Sequence, residues 1–302
     1  MSTLEITTRI GCKNMCNYCP QKLLVSKYSR LSEEFIMSFE TFKKYLSKIP
    51  TNVRIDFSGM SEPWLNKNCT KMLLEAHKRG FKIAVYTTCI GMTKKDFKRI
   101  RDIPFDIFVV HLPDAENRTK ICINKKYLSV LEEICKNPPK KIKFIFYFSI
   151  HPQVQIILQK YKISSEDATS WLMGRAGNIH EYSKFSNKKE DLFCLGGDKL
   201  DHNVLLPNGD VILCCMDYSL THRLGNLLRQ DYHSIFKTTE FYRIKKSLKT
   251  GGKGTICMSC EMAIKRWSIQ YLVYLLSTIK IFNSLKKIAI LKIIGKRILS
   301  DS

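Results

Sequence analysis

Acidic residues are scarce in this chain: 27 Asp and Glu stand against 50 Lys and Arg over 302 residues, a formal net charge of +23. That surplus admits a nucleic-acid partner, an anionic membrane, or simply a lysine-rich surface. Nucleic-acid recognition motifs are missing and the basic residues are spread along the chain, so no nucleic-acid partner is read from it. A secretory leader is missing too. Met1-Ser2-Thr3-Leu4-Glu5 has neither a basic start nor an apolar run, which predicts a cytoplasmic protein. No run is long enough to span a membrane in the basic C-terminal zone, where the longest uncharged stretch, Trp267–Ile279, has thirteen residues against the roughly 18–20 required. Internal repeats are absent. Cysteine is what the chain does have, twelve in all and unevenly spread. Without secretion, disulfides are not expected, and clustered cysteines point to metal.

Short β-branched and aromatic runs alternate with amphipathic stretches. Leu4–Ile10, Val53–Phe57, Ile83–Thr87, Asp106–His111 and Ile142–Ile150 read as buried strands, with a weaker sixth around Thr169–Met173. Between them Phe39, Phe42, Leu46 and Ile49, then Cys69, Met72, Leu73 and Ala76, then Tyr127, Leu128, Leu131 and Cys135 recur at helical spacing. Repeated strand–helix units predict an α/β fold of parallel strands, an open sheet or a partial (β/α)6 TIM-like barrel, with chemistry on loops leaving the C-terminal strand ends. The pattern changes after about residue 180. Val204–Leu213 reads as a hairpin turning on Asn208-Gly209, and a helix over about Tyr232–Lys249 follows. The expected domains are residues 1–180, 181–263 and 264–302, with the first boundary in the polar stretch Ser183–Asp191.

Cys12, Cys16 and Cys19 follow the first strand at spacing three then two. A zinc knuckle is the alternative reading, but structural zinc wants four closed ligands and no fourth Cys or His lies nearby. Three thiolates on a four-iron cluster leave one iron open to chelate a substrate. Here the sequence resembles the radical S-adenosylmethionine superfamily, whose signature this spacing is. Tyr18, just before the third cysteine, matches an aromatic common in that family. Phe57-Ser58-Gly59-Met60-Ser61-Glu62-Pro63 resembles the family's glycine-rich segment ending in Glu-Pro, with Met60 in place of the second glycine of the usual pair. The resemblance implies that Gly59, Ser61, Glu62 and Pro63 receive the amino group of the methionine moiety. Tyr86-Thr87-Thr88 resembles the threonine-rich end of the third strand. The family's glycine-and-glutamate pattern on the fifth strand is missing from Lys143–His151, so the adenosine contacts are not assigned.

Cys194, Cys214, Cys257 and Cys260 form a second group. Cys194 precedes Gly209 by fifteen positions and Cys214 follows that glycine after four intervening residues. With Leu224-Gly225-Asn226-Leu227 and Cys257-Met258-Ser259-Cys260, this resembles the SPASM/twitch extension of radical S-adenosylmethionine enzymes. Gly174-Arg175-Ala176-Gly177-Asn178 matches a segment common just before it, and implies a cofactor-binding role for Arg175. Four thiolates would fully ligate one auxiliary four-iron cluster and staple a domain with little core of its own; zinc remains the alternative ligand set. Cys214 and Cys215 face opposite ways in a regular strand, and the glycine spacing favours Cys214. No cysteine follows Cys260, so a second auxiliary cluster is not expected.

The resemblance implies reductive cleavage of S-adenosylmethionine, fed by a flavodoxin or ferredoxin, and hydrogen abstraction from a substrate at the barrel mouth. With the triad starting at residue 12 there is no preceding peptide-recognition domain, which favours oxidation of a small alcohol such as a sugar or aminocyclitol over peptide or protein modification. A non-enzymatic iron–sulfur or zinc scaffold is the remaining class, opposed by the Gly59–Pro63 segment. His111 and Asp114 lie on the correct side of the barrel, but neither is assigned as a catalytic base. In the tail, Trp267, Tyr271, Leu272, Leu275, Ile279, Phe282 and Leu285 recur at helical spacing. Docking across the barrel is the first reading of this basic helix; contact with an anionic membrane is the second.

Overall fold

The structure is a computed structural model and describes residues 1–183, 191–197, 199–252 and 254–278. Six strands in chain order, β1 (Thr3–Ile6), β2 (Arg54–Phe57), β3 (Ile83–Thr87), β4 (Ile107–His111), β5 (Ile142–Phe146) and β6 (Glu166–Asp167), pair side by side, all parallel. Helices α1 (Gln21–Tyr28), α2 (Phe39–Leu46), α3 (Cys69–Lys78), α4 (Lys94–Ile100), α5 (Lys125–Lys136) and α6 (Pro152–Lys160) connect or follow them. Their ends follow local chemistry. Ser38, Asn124 and Thr93 accept from backbone N–H groups at the starts of α2, α5 and α4, the last in a reciprocal capping box with Asp96.

Strand alternation separates two faces. Leu4, Ile6, Phe57, Phe108 and Val110 point outward into the main core with Phe42, Leu73, Phe97 and Leu131 from the helices. Val109, Ile145 and Ala168 form a small apolar cluster on the opposite, inner face, against Tyr86, Ile107 and Tyr147. The expected sixth strand is displaced. β6 is two residues long and precedes Thr169–Trp171, which forms a 3-10 turn instead.

Beyond the barrel come β7 (Leu192–Cys194), β8 (His202–Leu205), β9 (Asp210–Ile212), β10 (Arg223–Asn226), α7 (Thr239–Thr250), β11 (Ala263–Lys265) and α8 (Ile269–Thr278). The β8–β9 hairpin closes through Pro207-Asn208-Gly209, with the Leu206 N–H donating to the Asp210 carbonyl at 2.9 Å and Gly209 at φ +88°. The hairpin does not stand apart: β8 pairs in parallel with β1, extending the barrel sheet to nine strands. The expected helix over Tyr232–Lys249 is two elements, a 3-10 stretch Tyr232–Lys237 and then α7, because Thr238 is extended and caps α7 through the Phe241 N–H. β7 and β11 make a separate two-stranded sheet. On it α8 seats Tyr271 and Tyr274, each with its ring centroid 4.9 Å from that of Phe193. The start of the tail therefore packs on protein. Ile279, Phe282, Leu285 and the rest of the tail, and most of the Ser183–Asp191 boundary, lie outside the described residues. No helix among the described residues is long and apolar enough to cross a membrane.

Candidate active site and cluster sites

The loop between β1 and α1 carries Cys12, Cys16 and Cys19, all partly exposed. Positive φ at Gly11 (+87°) and Met15 (+51°) folds it back on itself, and the Cys19 N–H donates to the Cys16 carbonyl at 3.0 Å. The three thiols share one electrostatic neighbourhood. Burial, then the charges of Cys19 and Cys12, pushes the Cys16 thiol up to about 12, and burial raises Cys12 likewise. Positive charge placed among the sulfurs opposes the rise at Cys12 and Cys16, so the loop favours a strongly cationic guest.

Gln21, the first residue of α1, ties this loop together. Its Oε1 accepts from the Cys12 N–H at 3.0 Å, while Nε2 donates to the Cys19 sulfur at 3.2 Å and the Met60 carbonyl at 2.6 Å. Tyr218 reaches Cys19 from the hairpin side, Oη to Sγ 3.3 Å. On the far side the Cys16 thiol donates to the Thr119 carbonyl at 3.0 Å, in a turn held by Asp114, whose carboxylate accepts from the N–H groups of Arg118 and Thr119 at 2.7 Å each. Asp114 thus organises the turn that flanks the cysteines.

Gly59–Pro63 leaves β2 beside this loop. Gly59 sits at φ +65°, and a Cβ there would come within 2.3 Å of Thr7 Oγ1 and 2.9 Å of Thr7 N, so only glycine fits. Its N–H donates to Glu5 Oε2 at 3.1 Å, and the Met60 N–H to Thr7 Oγ1 at 3.1 Å. Met60 keeps a negative φ and its side chain is buried among Ile10, Leu24, Tyr28 and Val204, so the missing second glycine is filled by a core residue. Ser61 donates to the Arg9 carbonyl, and Pro63 accepts from the Thr8 hydroxyl at 2.8 Å. Glu62 is buried, and its backbone and charge lie beside the Cys12 thiol. Its carboxylate accepts from the Thr87 hydroxyl (2.7 Å), the Thr88 N–H and hydroxyl (2.7 and 2.8 Å) and the Trp64 N–H (3.2 Å). Burial raises its pKa and those bonds oppose the rise. The Thr87-Thr88 strand end, a weak sequence signal, is therefore joined to Glu62 directly; Asn14 of the cysteine loop also donates to the Thr88 hydroxyl at 3.0 Å.

Below this rim the inner barrel wall is aromatic and polar. Tyr147 lies 5.0 Å from Tyr18 and 6.0 Å from His111 between ring centroids. Arg175 stands over the Tyr218 ring at 5.7 Å and has no carboxylate partner among the described residues. Burial, then the Arg175 charge, lowers His111 to about 4, so its imidazole is neutral at ordinary pH. At the β1 side, Glu5 accepts from Ser58 Oγ at 3.0 Å and pairs with His202 at 2.8 Å.

The second cysteine group gathers from three segments. Cys194 ends β7, Cys214 follows β9, and Cys257 and Cys260 bound a 3-10 turn, Ile256–Ser259. Cys257 and Cys260 each feel Cys194, and Cys214 feels both. Cys214 and Cys215 lie past the end of β9 rather than within it, yet they do diverge. Cys214 packs against the main core, as Cys194 does, whereas Cys215 packs against the separate cluster of Ile10, Leu24 and Val204 and is hydrogen-bonded to Glu5. Among the described residues no three His, Cys, Asp or Glu side chains converge on single-ion geometry. The donor set of four thiols has the chemistry to ligate one iron–sulfur cluster fully.

One clamp joins the two cysteine regions. Arg175, Ala176 and Gly177 all have positive φ (50°, 53° and 87°), and Glu261, next to Cys260, accepts from the Gly174 N–H at 2.7 Å and the Ala176 N–H at 3.3 Å. The left-handed backbone turns the Gly174 and Ala176 N–H groups to one side, where the carboxylate takes both. Gln21, Tyr147, Tyr218 and Glu261 carry no motif that the sequence could have marked; each is placed only by the fold.

Residues 194–261 match the family model of SPASM, an iron–sulfur cluster-binding domain, a range that brackets the four cysteines. A stretch of 120 residues, 38% of this chain, is 30% identical to a tungsten-containing aldehyde ferredoxin oxidoreductase cofactor-modifying protein of Pyrococcus furiosus; it spans 32% of that protein. The fold is similar to that of BtrN in complex with AdoMet and 2-DOIA (TM-score 0.59, 18% identity, 88% of this chain and 94% of that one). It is also similar to anSMEcpe with bound AdoMet (0.53, 14%, 88% and 91%). A third likeness is to Streptococcus suis SuiB bound to precursor peptide SuiA (0.57, 11%, 86% and 69%). The expected SPASM-type extension is borne out by the domain match over residues 194–261, and the expected partial barrel by the fold shared with these AdoMet-bound proteins.

Proposed function

We propose that this chain is a radical S-adenosylmethionine enzyme that oxidises an alcohol on a small polyol such as a sugar or aminocyclitol. The observation that carries the reading is the meeting of Cys12 with the Gly59–Pro63 segment at the barrel rim, where Glu62 is buried against the thiol loop. A four-iron cluster on Cys12, Cys16 and Cys19, when bound, supplies the electron that cleaves S-adenosylmethionine and yields a 5′-deoxyadenosyl radical able to take hydrogen from substrate.

The chain's own residues do the rest. Gly59 lets the segment pack directly against Thr7 of the loop after β1, and Ser61 and Pro63 pin it to the loop ahead of the cysteines. Glu62 would receive the ammonium group of the methionine moiety by exchanging its bond from the Thr88 hydroxyl, which can rotate away. Tyr18, Tyr147 and Tyr218 wall the space next to the cysteines and exclude water from it. Arg175 offers a cation inside, fit for a carboxylate or other anionic group of cofactor or substrate, and neutral His111 can accept or donate a hydrogen bond to a hydroxyl. Cys194, Cys214, Cys257 and Cys260 would hold an auxiliary cluster, which would supply a one-electron acceptor. The likeness to BtrN, solved with a small-molecule ligand, supports the small-substrate reading. The likeness to SuiB, solved with a peptide, supports peptide modification as the second reading.

Anaerobic reconstitution, followed by dithionite and S-adenosylmethionine, tests the enzyme claim: release of 5′-deoxyadenosine is expected, and none from a fully iron-loaded protein would refute it. Transfer of deuterium from a carbinol-labelled cyclitol into 5′-deoxyadenosine tests the substrate class.

A further inference from the structure

Between the β7–β11 sheet and the last turns of α7 lies a cavity of about 280 Å³. Leu192, Leu200 and Leu248 make it apolar, and its remaining lining is Lys245, Lys249, Arg266 and Cys194. Cys194 and Cys214 are partly exposed, whereas Cys257 and Cys260 of the same group are buried. Cys194 lines the cavity, which makes it one route from the auxiliary site to solvent. The cations around it are poorly matched within the chain. Lys245 and Lys249 stand at i and i+4 on one face of α7, where like charges repel, and neither has an ion-pair partner among the described residues. Arg266 sits across from them and is paired with Asp191 at 3.3 Å. A groove with an apolar floor and two lysines without ion-pair partners on its rim, opening on one thiol of the second cysteine group, has the complement of a negatively charged surface with a small apolar centre.

We propose that this groove docks an acidic one-electron carrier protein of the flavodoxin or ferredoxin class, beside Cys194. The proposal rests on the oxidative reading above and gives it an exit for charge. When a carbinol carbon gives one hydrogen atom to the 5′-deoxyadenosyl radical and its hydroxyl gives one proton to a base, one electron remains per carbonyl formed. One oxidised carrier accepts that electron and leaves in its one-electron-reduced form.

The test uses the iron-loaded holoprotein and an acidic flavodoxin, whose binding is followed by calorimetry across a salt series. K245E/K249E is compared with K71E/K78E, a charge-matched pair on the exposed face of α3. The groove pair is expected to weaken flavodoxin binding roughly tenfold or more at low salt and to flatten its salt dependence, while the α3 pair changes it less than about twofold. Iron content and the visible spectrum report that K245E/K249E is folded and loaded. Equal losses from both pairs, or no loss from the groove pair, would overturn the docking site. Dithionite-driven release of 5′-deoxyadenosine by the wild-type protein needs no carrier, so its failure strikes the functional reading and leaves the binding result to be judged separately.

Discussion

Glu261 closes on Gly174: the Gly174 N–H donates to Glu261 Oε1 at 2.7 Å, across 87 residues of chain. The contact fastens the Cys257–Cys260 turn to the segment that carries Arg175, so the auxiliary site and the barrel's inner cation are set by one carboxylate. Gly174 has no room for a side chain, because a Cβ would come within 2.7 Å of Glu261 Oε1. Replacing Glu261 by Ala leaves two N–H groups without an acceptor and is expected to cost about 1.5–3 kcal/mol, the scale for hydrogen bonds to a charged group. Glu261→Gln, which keeps one acceptor, should recover about half. Urea unfolding of the iron-loaded protein measures both.

The Gly59–Met60 pair makes an opposed prediction. Gly59→Ala forces an L-residue into the left-handed region, about 1–2 kcal/mol, and drives a methyl group into Thr7. S-adenosylmethionine binding, followed by equilibrium dialysis, should be lost even where the protein still folds. Met60→Gly would restore the paired glycines of the related segment, yet it empties a buried site. It is expected to destabilise the protein by about 2–5 kcal/mol. A Met60→Gly protein at least as stable as wild type in thermal unfolding would contradict the packing described here.

His111 sets a pH dependence. Burial, then Arg175, lowers its pKa from 6.5 to about 4. Between those two values the unfolded chain binds a proton that the folded protein refuses. Acidification from pH 6.5 toward 4 therefore removes stability, on the order of 1–3 kcal/mol after allowance for its partial exposure. His111→Asn should flatten that part of the stability curve. Arg175→Gln should make the fall smaller and end it at a higher pH, since the imidazolium would then meet less repulsion and the folded pKa would lie closer to 6.5; an unchanged curve in both variants would remove His111 from the account.

Much of this site was legible beforehand because the chemistry-bearing residues sit close together in sequence. Cys12, Cys16 and Cys19, and likewise Gly59–Pro63, are local motifs on strand ends, and the alternation of residues such as Leu4 and Ile6 marks the parallel strands. What escaped the sequence is long-range. Gln21 matters because its amide meets Cys12, Cys19 and the Met60 carbonyl at once. Tyr218 matters because the hairpin joins β1, an edge pairing between residues about 200 apart that no periodicity announces. The sixth strand misled for a different reason: with two residues it is too short to show alternation, and the apolar Trp171–Met173 that drew attention lies beyond it.

Cys214 and Cys215 offer a sharp test of the auxiliary site, since they are neighbours with separate surroundings. Cys214 shares its electrostatic environment with Cys257 and Cys260 and packs against the main core; Cys215 is hydrogen-bonded to Glu5. Reconstituted wild-type protein is expected to hold about eight irons, four at each site. Cys214→Ala should fall to about four and lose the stability that the cluster gives to the small β7–β11 sheet, visible as faster proteolysis within residues 191–265. Cys215→Ala should keep about eight irons and an unaltered visible spectrum. Joint replacement of Cys12, Cys16 and Cys19 by Ala should leave about four irons, those of the second group, and abolish S-adenosylmethionine cleavage. Iron loss from Cys215→Ala equal to that from Cys214→Ala would mean that the cluster draws its ligand from the Glu5 side, and the separation of the two thiols argued here would be wrong.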